Sequence, residues 1–430
     1  MNQKPKLTAF LTMICCTAAG CWLPGCTAFK VQKDSYNSST QQTVSKIVSA
    51  TSKKLSSSLS PAVSRKLADM TLEQKIGQMF FLAFRKNADG TDFWTYNQAA
   101  HSTVQAIQPG GFVLFGENIH TTAQVRALIR RMKDDCRISP FVAVDQEGGK
   151  VQRIRHTDLI SATDVPSMWD VGKTGNTELA RQVGSVLGSE LSVFGFNMDF
   201  APDCDVFSNP NNKVIGTRSF SSNPQQAAIF SVALSEGLRS TGMIPVCKHF
   251  PGHGDTEADT HEGYASVDKT LDELKKTELI PFEEQIKAGA EMIMVAHISL
   301  PKVNGDETPA SLSPKIIQGL LREELGFHGV IITDSLGMGA IAKHFSPGEA
   351  AVRAVKAGAD ILMLPSDPAA AYNTVLAAVK SGEISESRVD ESVARILSLK
   401  KKYGLDSEKP LGSESLLGSA EHRRIVSQIQ

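Results

Sequence analysis

Short apolar segments alternate with stretches of helical periodicity over most of the chain. Eight such segments occur, at residues 80–84, 111–115, 141–144, 196–200, 243–247, 292–296, 330–333 and 361–364. Several are nearly continuous runs of Val, Ile, Phe and Met, which is typical of parallel strands covered on both faces. Strands that alternate with helices predict an α/β fold with a parallel sheet. Eight repeats favour a (β/α)8 TIM-type barrel, in a single domain, over an open doubly wound sheet.

The predicted helices have recognisable ends. Thr270 and Glu273 have the spacing of a capping box, and Ser313 and Asp367 each precede a proline that would occupy a first helical turn. A late helix has apolar residues along one side and is expected to end at Gly404. These signals place helices between the strands, as a barrel requires.

Polar residues and glycines directly follow six of the predicted strands. In chain order they are Asp145 with residues 146–149, Asp203 with Asp205, the segment 247–261, His297, Asp334 and Asp367. In (β/α)8 barrels the active residues lie at the carboxyl ends of the strands. The distribution therefore predicts a functional site on that face of the barrel.

Residues 1–26 have the pattern of a lipoprotein-type signal peptide. Lys4 and Lys6 precede an apolar run at 7–19, which is short for a membrane-spanning helix. Cys21 and Cys26 follow, each in a segment that resembles a lipoprotein box. We expect an exported protein of the cell envelope, lipid-anchored at Cys26 or Cys21, with Cys26 favoured. A cleaved signal without a lipid is the alternative.

The rest of the chain divides into three parts. Residues 27–65 are rich in Ser, Thr, Lys and Gln and predict a flexible tether. Residues 66–405 contain all eight strand segments and form the predicted barrel domain. Residues 406–430 follow it as a C-terminal tail.

Composition limits the partners that the protein can be expected to have. The chain has 430 residues, 41% hydrophobic and 21% charged, with a formal net charge of −1. This balance gives no electrostatic reason to expect nucleic acid or an acidic membrane surface as a partner. Cys136, Cys204 and Cys247, the cysteines outside the signal, are far apart and odd in number, which argues against a disulfide framework. We expect a monomer whose membrane contact is the N-terminal lipid.

Segment 247–261 has the highest density of ionisable side chains, and three interpretations of it remain open. The ionisable residues are Lys248, His249, His253, Asp255, Glu257, Asp259 and His261. The first interpretation is a solvated polar loop. The second is a metal site that uses His249, His253, Asp255 and His261. The third is a metal-free acid–base site in which Asp259 and His261 form a carboxylate–imidazole pair.

Asp334 directly follows the seventh predicted strand and is a candidate nucleophile. Gly337 and Gly339 behind it allow close backbone approach, which suits attack on an anomeric carbon; a helix N-cap is the alternative at this position. Glycosidases need a nucleophile and a proton donor on the two sides of the scissile bond. Asp334 and the Asp259–His261 pair would supply these groups from different strand ends.

Five motifs together resemble the family 3 glycoside hydrolases of the β-N-acetylglucosaminidase branch. They lie at 145–149, 215–220, 248–256, 259–261 and 332–338, and the resemblance covers about residues 68–405. It implies a retaining exo-hydrolase that removes terminal non-reducing N-acetylglucosamine through a covalent glycosyl-enzyme. Behind an export signal, the expected substrates are peptidoglycan fragments (muropeptides) or amino-sugar oligosaccharides. No metal or other cofactor is expected.

The resemblance also implies a role for individual residues. Asp334 would be the nucleophile, and His261 would be the acid–base residue with Asp259 as its partner. The implied sugar-binding residues are Asp145, Arg153, Arg218, Lys248 and His249. The two arginines could equally be structural ion-pair partners. Within the same site we expect His253 and Asp255 to shape the loop and His297 to line the pocket.

Other classes of function stay open. A metal-dependent hydrolase would use segment 247–261, although neither a Cys/His cage nor an H-E-x-x-H motif is present. A non-catalytic sugar-binding lipoprotein would keep the barrel without turnover, and the intact Asp334 and His261 argue against it. Transfer to phosphate instead of water is an alternative within the family. Larger members carry a second α/β domain, so residues 406–430 are either a short tail or a truncated linker.

Overall fold

Eight parallel strands form the centre of the computed structural model, which describes residues 59–256, 265–407 and 409–429. The strands are β1 Phe80–Leu82, β2 Gly111–Val113, β3 Phe141–Val144, β4 Met198–Asp199, β5 Ile244–Phe250, β6 Met292–Val295, β7 Val330–Thr333 and β8 Leu362–Met363. Each lies within or overlaps a segment predicted from the apolar pattern. The predicted signal peptide and most of the predicted tether, residues 1–58, lie outside the described residues and remain predictions.

The strands are paired in the order β7-β6-β5-β4-β3-β2-β1-β8. A parallel bridge between Ile332 and Ile361 brings β7 to the start of β8, so the sheet curves into a nearly closed barrel. All the barrel strands are buried along their length. The prediction of an α/β, (β/α)8 TIM-type barrel is therefore confirmed.

Helices surround the barrel and connect its strands. The α-helices are Pro61–Asp69, Leu72–Gln78, Gln98–Ile107, Thr122–Asp134, Met168–Lys173, Thr177–Phe194, Pro224–Ser240, Leu271–Leu274, Ile280–Lys287, Pro301–Asn304, Gly339–Ala342, Pro347–Ala357, Pro368–Lys380, Glu386–Lys402 and Ala420–Val426. Lys315–Glu324 is a π-helix, and 3₁₀ turns lie at Gly116–Asn118, Gly216–Arg218, Ala310–Leu312 and Glu414–Leu416. No helix within these described ranges is both long and apolar enough to span a membrane.

Most predicted helix ends are confirmed. The Thr270–Glu273 capping box is present, and the Asp367 side chain accepts a hydrogen bond from the backbone of Ala370. Gly404 follows the helix Glu386–Lys402 with a φ of 60°, a left-handed conformation that glycine tolerates. The element after Ser313 differs, because regular turns begin only at Lys315 and have π geometry.

The fifth strand is longer than predicted. Its apolar run ends at Cys247, but β5 continues through Lys248 and His249 to Phe250. The Lys248 carbonyl accepts a hydrogen bond from Cys204 N at 2.6 Å, and Phe250 lies in register with Val295 of β6. Pairing on the β4 side and at Phe250 thus holds Lys248 and His249 within the strand, although the pairing with β6 shifts register between Cys247 and Phe250. The sequence pattern assigned these two ionisable positions to a loop.

The residues after the barrel helices pack against it. Gly418 N and His422 Nδ1 both contact Glu190 on the helix Thr177–Phe194, each at 2.9 Å. Arg126 donates to the carbonyl oxygens of Val193 and Gly412. Cys136, Cys204 and Cys247 are free thiols, which confirms that they do not pair with one another.

A buried ionic network supports the junction of β7 and β8. The Asp360 carboxylate is fully buried and accepts hydrogen bonds from Arg322 Nη2 at 2.5 Å, Ser392 Oγ at 2.7 Å, Ile331 N at 2.9 Å and Arg395 Nη1 at 3.0 Å. Burial opposes ionisation of this carboxyl, but the neighbouring arginines, Arg395 first, hold its pKa at about 2. The network therefore ties the starts of both strands to the helix Glu386–Lys402.

Replacing Asp360 by Asn should destabilise the barrel strongly. The variant keeps the arginines buried without their carboxylate, so we expect the free energy of unfolding at pH 7 to fall by about 3–5 kcal/mol. Because the folded pKa is below the ordinary value, this stabilisation exists above pH ~4 and is lost as the pH falls towards 2. Urea denaturation should therefore show a smaller difference in the free energy of unfolding between the wild type and Asp360→Asn at about pH 3 than at pH 7.

The exposed Glu349–Arg353 pair provides the control for this measurement. Glu349→Gln should change stability by less than about 0.5 kcal/mol, as exposed helix pairs do. Equal stability of the Asp360→Asn variant and the wild type at pH 7 would contradict a supporting role for the network.

Candidate active site

Polar side chains converge at the carboxyl ends of five neighbouring strands. Asp145 follows β3, Asp203 and Asp205 follow β4, Lys248 and His249 lie near the end of β5, His297 follows β6, and Asp334 follows β7. This is the face on which (β/α)8 barrels carry their active residues. The structure therefore brings these residues together at the face that the strand-end pattern predicted; their role as a functional site stays a prediction.

Glu147, which sequence reasoning missed, is the centre of a buried ion-pair cluster. It lies in a short antiparallel pair, Gln146–Gly148 and Val151–Gln152, just after β3. Its carboxylate accepts from Arg218 Nη2 at 2.7 Å and Nε at 2.8 Å, and Lys248 Nζ lies 2.6 Å away. Burial opposes its ionisation, but the charges of Arg218 and Lys248 prevail and hold the pKa of Glu147 well below its ordinary value.

Asp145 extends this cluster towards the open end of the barrel. Lys248 Nζ donates to Asp145 Oδ1 at 2.8 Å, and Arg153 Nη2 lies 3.4 Å from Asp145 Oδ2. Lys248 is 2% exposed. Burial opposes its protonation, yet the carboxylates of Asp145 and Glu147 raise its pKa above the usual range. Three of the predicted sugar-binding residues thus lie together, with the Asp145 carboxylate between the positive charges of Lys248 and Arg153.

His249 is held as a neutral ring in one tautomer. Its Nδ1 lies 2.6 Å from Asp205 Oδ2, and its Nε2 lies 3.2 Å from Arg218 Nη2. Because a guanidinium can only donate, Nε2 must accept and Nδ1 must carry the proton. Burial and the charge of Arg218 lower the pKa of His249 to about 4, in agreement with a neutral ring.

Asp203 completes the polar floor of the site. It accepts from the backbone of Asp205 at 2.9 Å, and its Oδ2 lies 3.4 Å from Arg218 Nε. Burial, and then the neighbouring Asp205, raise the pKa of Asp203 to about 8. Arg218 therefore faces an ionised Glu147 and an Asp203 that is protonated near neutral pH, which makes it an ion-pair partner within the site. Its predicted sugar-binding role stays a prediction.

The described part of the chain contains one group of three side chains that could hold a metal ion. It consists of Asp203, Asp205 and His249, whose ligand atoms lie within 4.8 Å of one another. This is not the set predicted for a metal site. His253 Nδ1 instead lies 2.7 Å from Thr256 Oγ1, and Asp255 pairs with Lys269 at 3.2 Å. Those two contacts agree with the expectation that His253 and Asp255 shape the loop.

Asp334 is half-buried, and its environment favours the carboxylate form. Its Oδ1 accepts from Ser335 N at 2.7 Å. Burial opposes ionisation, but the imidazole of His297 and the Ser335 N–H lower the pKa of Asp334 below its ordinary value. The N-cap alternative is wrong, because the next helix begins at Gly339 with Met338 as its cap.

The predicted acid–base pair, Asp259 and His261, lies outside the described residues. The residues that precede it, 251–256, form the loop root. His253 N donates to Asp205 Oδ1 at 2.6 Å, and Asn212 Nδ2 donates to the His253 carbonyl at 2.8 Å. Asn209 Nδ2 contacts the Asp255 carbonyl at 3.2 Å. The loop root is thus attached to the segment that follows β4.

Comparison with known proteins identifies the family. Residues 71–399 match the family model described as Glycosyl hydrolase family 3 N terminal domain. The chain therefore belongs to glycoside hydrolase family 3, which confirms both the predicted family and the predicted class of enzyme, a glycoside hydrolase.

Three related proteins illustrate the similarity. Beta-hexosaminidase A of Pseudoalteromonas piscicida is 34% identical over 394 residues, which cover 84% of this chain and 66% of that protein. Beta-hexosaminidase LpqI of Mycobacterium tuberculosis is 34% identical over 334 residues, covering 76% and 82%. The solved structure of a family 3 beta-N-acetylglucosaminidase from Paenibacillus sp. FPU-7 superposes with a TM-score of 0.79 at 36% identity, covering 84% of this chain and 68% of that one.

The state of His249 can be measured directly. Since its pKa is about 4, we expect the ring to stay neutral, with the proton on Nδ1, from roughly pH 5.5 to 8. Two-dimensional NMR of protein labelled with ¹⁵N-histidine distinguishes the tautomers, and a His249→Asn variant identifies the resonance. A ring that titrates near the ordinary value of about 6.5, or one protonated on Nε2, would show the arrangement to be wrong.

Proposed function

We propose that this protein is a retaining exo-β-N-acetylglucosaminidase that removes terminal, non-reducing N-acetylglucosamine from peptidoglycan fragments or other amino-sugar oligosaccharides. The observation that carries the proposal is the ionised Asp334 at the same barrel face as a buried ion-pair cluster. An anionic nucleophile beside fixed donors and acceptors is what glycosyl transfer to a carboxylate requires. The relatives named beta-hexosaminidase support the choice of sugar.

The cluster has the chemistry to bind one terminal sugar ring. Asp145 can accept hydrogen bonds from hydroxyl groups, and Lys248, Arg218 and Arg153 can donate them. His249, held neutral by its surroundings, adds a polar edge next to Arg218. Since these groups are already paired and mostly buried, they are oriented before a sugar arrives, which lowers the cost of binding. Binding of the terminal ring by fixed charges supports exo action.

The reaction would proceed in two displacements. Asp334 attacks the anomeric carbon and forms a covalent glycosyl-enzyme, while His261 protonates the departing oxygen. His261 then removes a proton from water, which attacks the same carbon and releases the sugar with retained configuration. Asp259 would orient the imidazole and raise its basicity. These two roles rest on the family motif at 259–261.

The location of the enzyme is also a proposal. The signal pattern of residues 1–26 supports export to the cell envelope, with a lipid on Cys26 or Cys21. Cell-wall fragments would then be available as substrates in the compartment where the enzyme resides.

Removing the nucleophile should abolish the reaction. We expect Asp334→Ala to lower kcat for 4-nitrophenyl N-acetyl-β-glucosaminide by at least about 1,000-fold. Asp367→Asn is the matched control, because Asp367 also follows a barrel strand but caps a helix, and asparagine can replace it there. The control should keep wild-type activity. Turnover of the Asp334→Ala variant within tenfold of wild type would refute the proposed mechanism.

The released product distinguishes the remaining alternatives. Incubation with chitotriose or a defined muropeptide should release free N-acetylglucosamine from the non-reducing end, as identified by mass spectrometry. Prior dialysis against EDTA should leave the rate unchanged, since no proposed step uses a metal. Loss of activity that zinc restores would favour a metal-dependent hydrolase. A sugar phosphate formed in phosphate buffer would favour phosphorolysis, and ligand binding without any product would favour a sugar-binding protein.

A further inference from the structure

Asp205 accepts hydrogen bonds from two separate segments of the site. The residue is fully buried behind β4. Its Oδ2 lies 2.6 Å from His249 Nδ1, and its Oδ1 accepts from His253 N at 2.6 Å and from His249 N at 3.4 Å. Its own carbonyl accepts from Ser219 Oγ at 2.6 Å, which fixes the backbone beside it.

These contacts join two parts of the proposed enzyme that otherwise belong to separate segments. His249 is the second-last residue of β5 and is an expected sugar-binding residue. His253 belongs to the loop root, which leads into the segment that contains Asp259 and His261. Asn212 holds the loop root from the carbonyl side of His253, but it does so without contacting His249. Within the described residues, Asp205 is the side chain that bonds to both.

The groups around Asp205 fix the orientation of its carboxylate. Arg218, Asp203, His249 and His253 all interact with it. A carboxylate has two oxygens that can each accept several hydrogen bonds, whereas an amide has one oxygen and one NH₂ group. Both oxygens of Asp205 are needed here, because N–H donors approach from two sides.

We propose that Asp205 is a positioning residue for the reaction: with Arg218 it keeps the proton of His249 on Nδ1, so that Nε2 accepts from Arg218, and it holds the loop root, which precedes the proposed acid–base pair in the chain. The inference rests on the proposed function for its kinetic consequence. The contacts that carry it do not depend on the identity of the substrate.

The test is an Asp205→Asn variant of the full chain. Its amide must turn an NH₂ group towards either His249 Nδ1 or His253 N, so one of the two contacts is lost. We expect kcat/KM for chitotriose and for 4-nitrophenyl N-acetyl-β-glucosaminide to fall by about 10–100-fold, the range typical of residues that orient a functional group. We also expect one of two signals to change, the ¹⁵N resonance of His249 Nδ1 or the hydrogen-exchange rate of the His253 amide, according to which contact the amide loses; loss of stability alone would not single out either.

Glu190 supplies a control of the same chemistry outside the site. It is buried and contacts His422 Nδ1, Gly418 N and Thr163 N, each at 2.9 Å. Glu190→Gln should lose a comparable amount of thermal stability and keep kcat/KM within threefold of wild type. If both variants lose activity in proportion to the decrease in their melting temperatures, the proposal is overturned.

The outcomes separate the inference from the proposed function. If wild-type enzyme releases N-acetylglucosamine and Asp205→Asn matches it within threefold, the positioning role is wrong. If the wild type is inactive on every amino sugar tested, the proposed function fails, and the His249 ¹⁵N resonance and the His253 amide exchange in the variant still decide the two contacts. Should the variant not fold, slow hydrogen exchange of the His253 amide and an Nδ1-protonated His249 in the wild type support the inference. Fast exchange or the other tautomer overturns it.

Discussion

The contact on which the rest of the site depends is that of Glu147 with Lys248 and Arg218. Glu147 and Lys248 are buried and the Arg218 side chain is 12% exposed, and a buried charge without a partner is costly. Each cation therefore has to be placed where a carboxylate can reach it, and this requirement fixes the relative positions of β3, β5 and the turn Gly216–Arg218. Asp145 and His249 are then oriented by contacts to cations that Glu147 already holds.

In the barrel, these charged groups lie at the ends of the strands and not between them. The interior along the strands is apolar, with side chains such as Phe112, Phe141 and Ile293 fully buried. Charges are found where the strands end, at the carboxyl face for the site and near the starts of β7 and β8 for Asp360. In both places a buried carboxylate, Glu147 or Asp360, is surrounded by cations that keep it ionised. The cluster around Glu147 belongs to the proposed site, and the network around Asp360 stabilises the fold.

The proposed mechanism divides the site into a fixed part and a loop part. Asp334 and the ion-pair cluster are attached to strands and hold their charge states through neighbours on other strands. The acid–base pair proposed from the family motif belongs to the segment after the loop root. Asp205 connects the two parts by accepting from His249 and from His253. Such a connection would hold the sugar-binding residue His249 and the loop root in fixed relative positions.

Local sequence patterns determined the eight strands, the Thr270–Glu273 capping box and the position of Asp334, because these features depend on residues a few positions apart. They also carried the family motifs. The tertiary structure decided that β5 extends to Phe250, that Glu147 is a site residue and that His249 is protonated on Nδ1. Arg218 is 71 residues from Glu147, and Lys248 is 103 residues from Asp145. Contacts over such distances exist only once the order of the strands brings their ends together, and no local pattern encodes which of several charged side chains will meet.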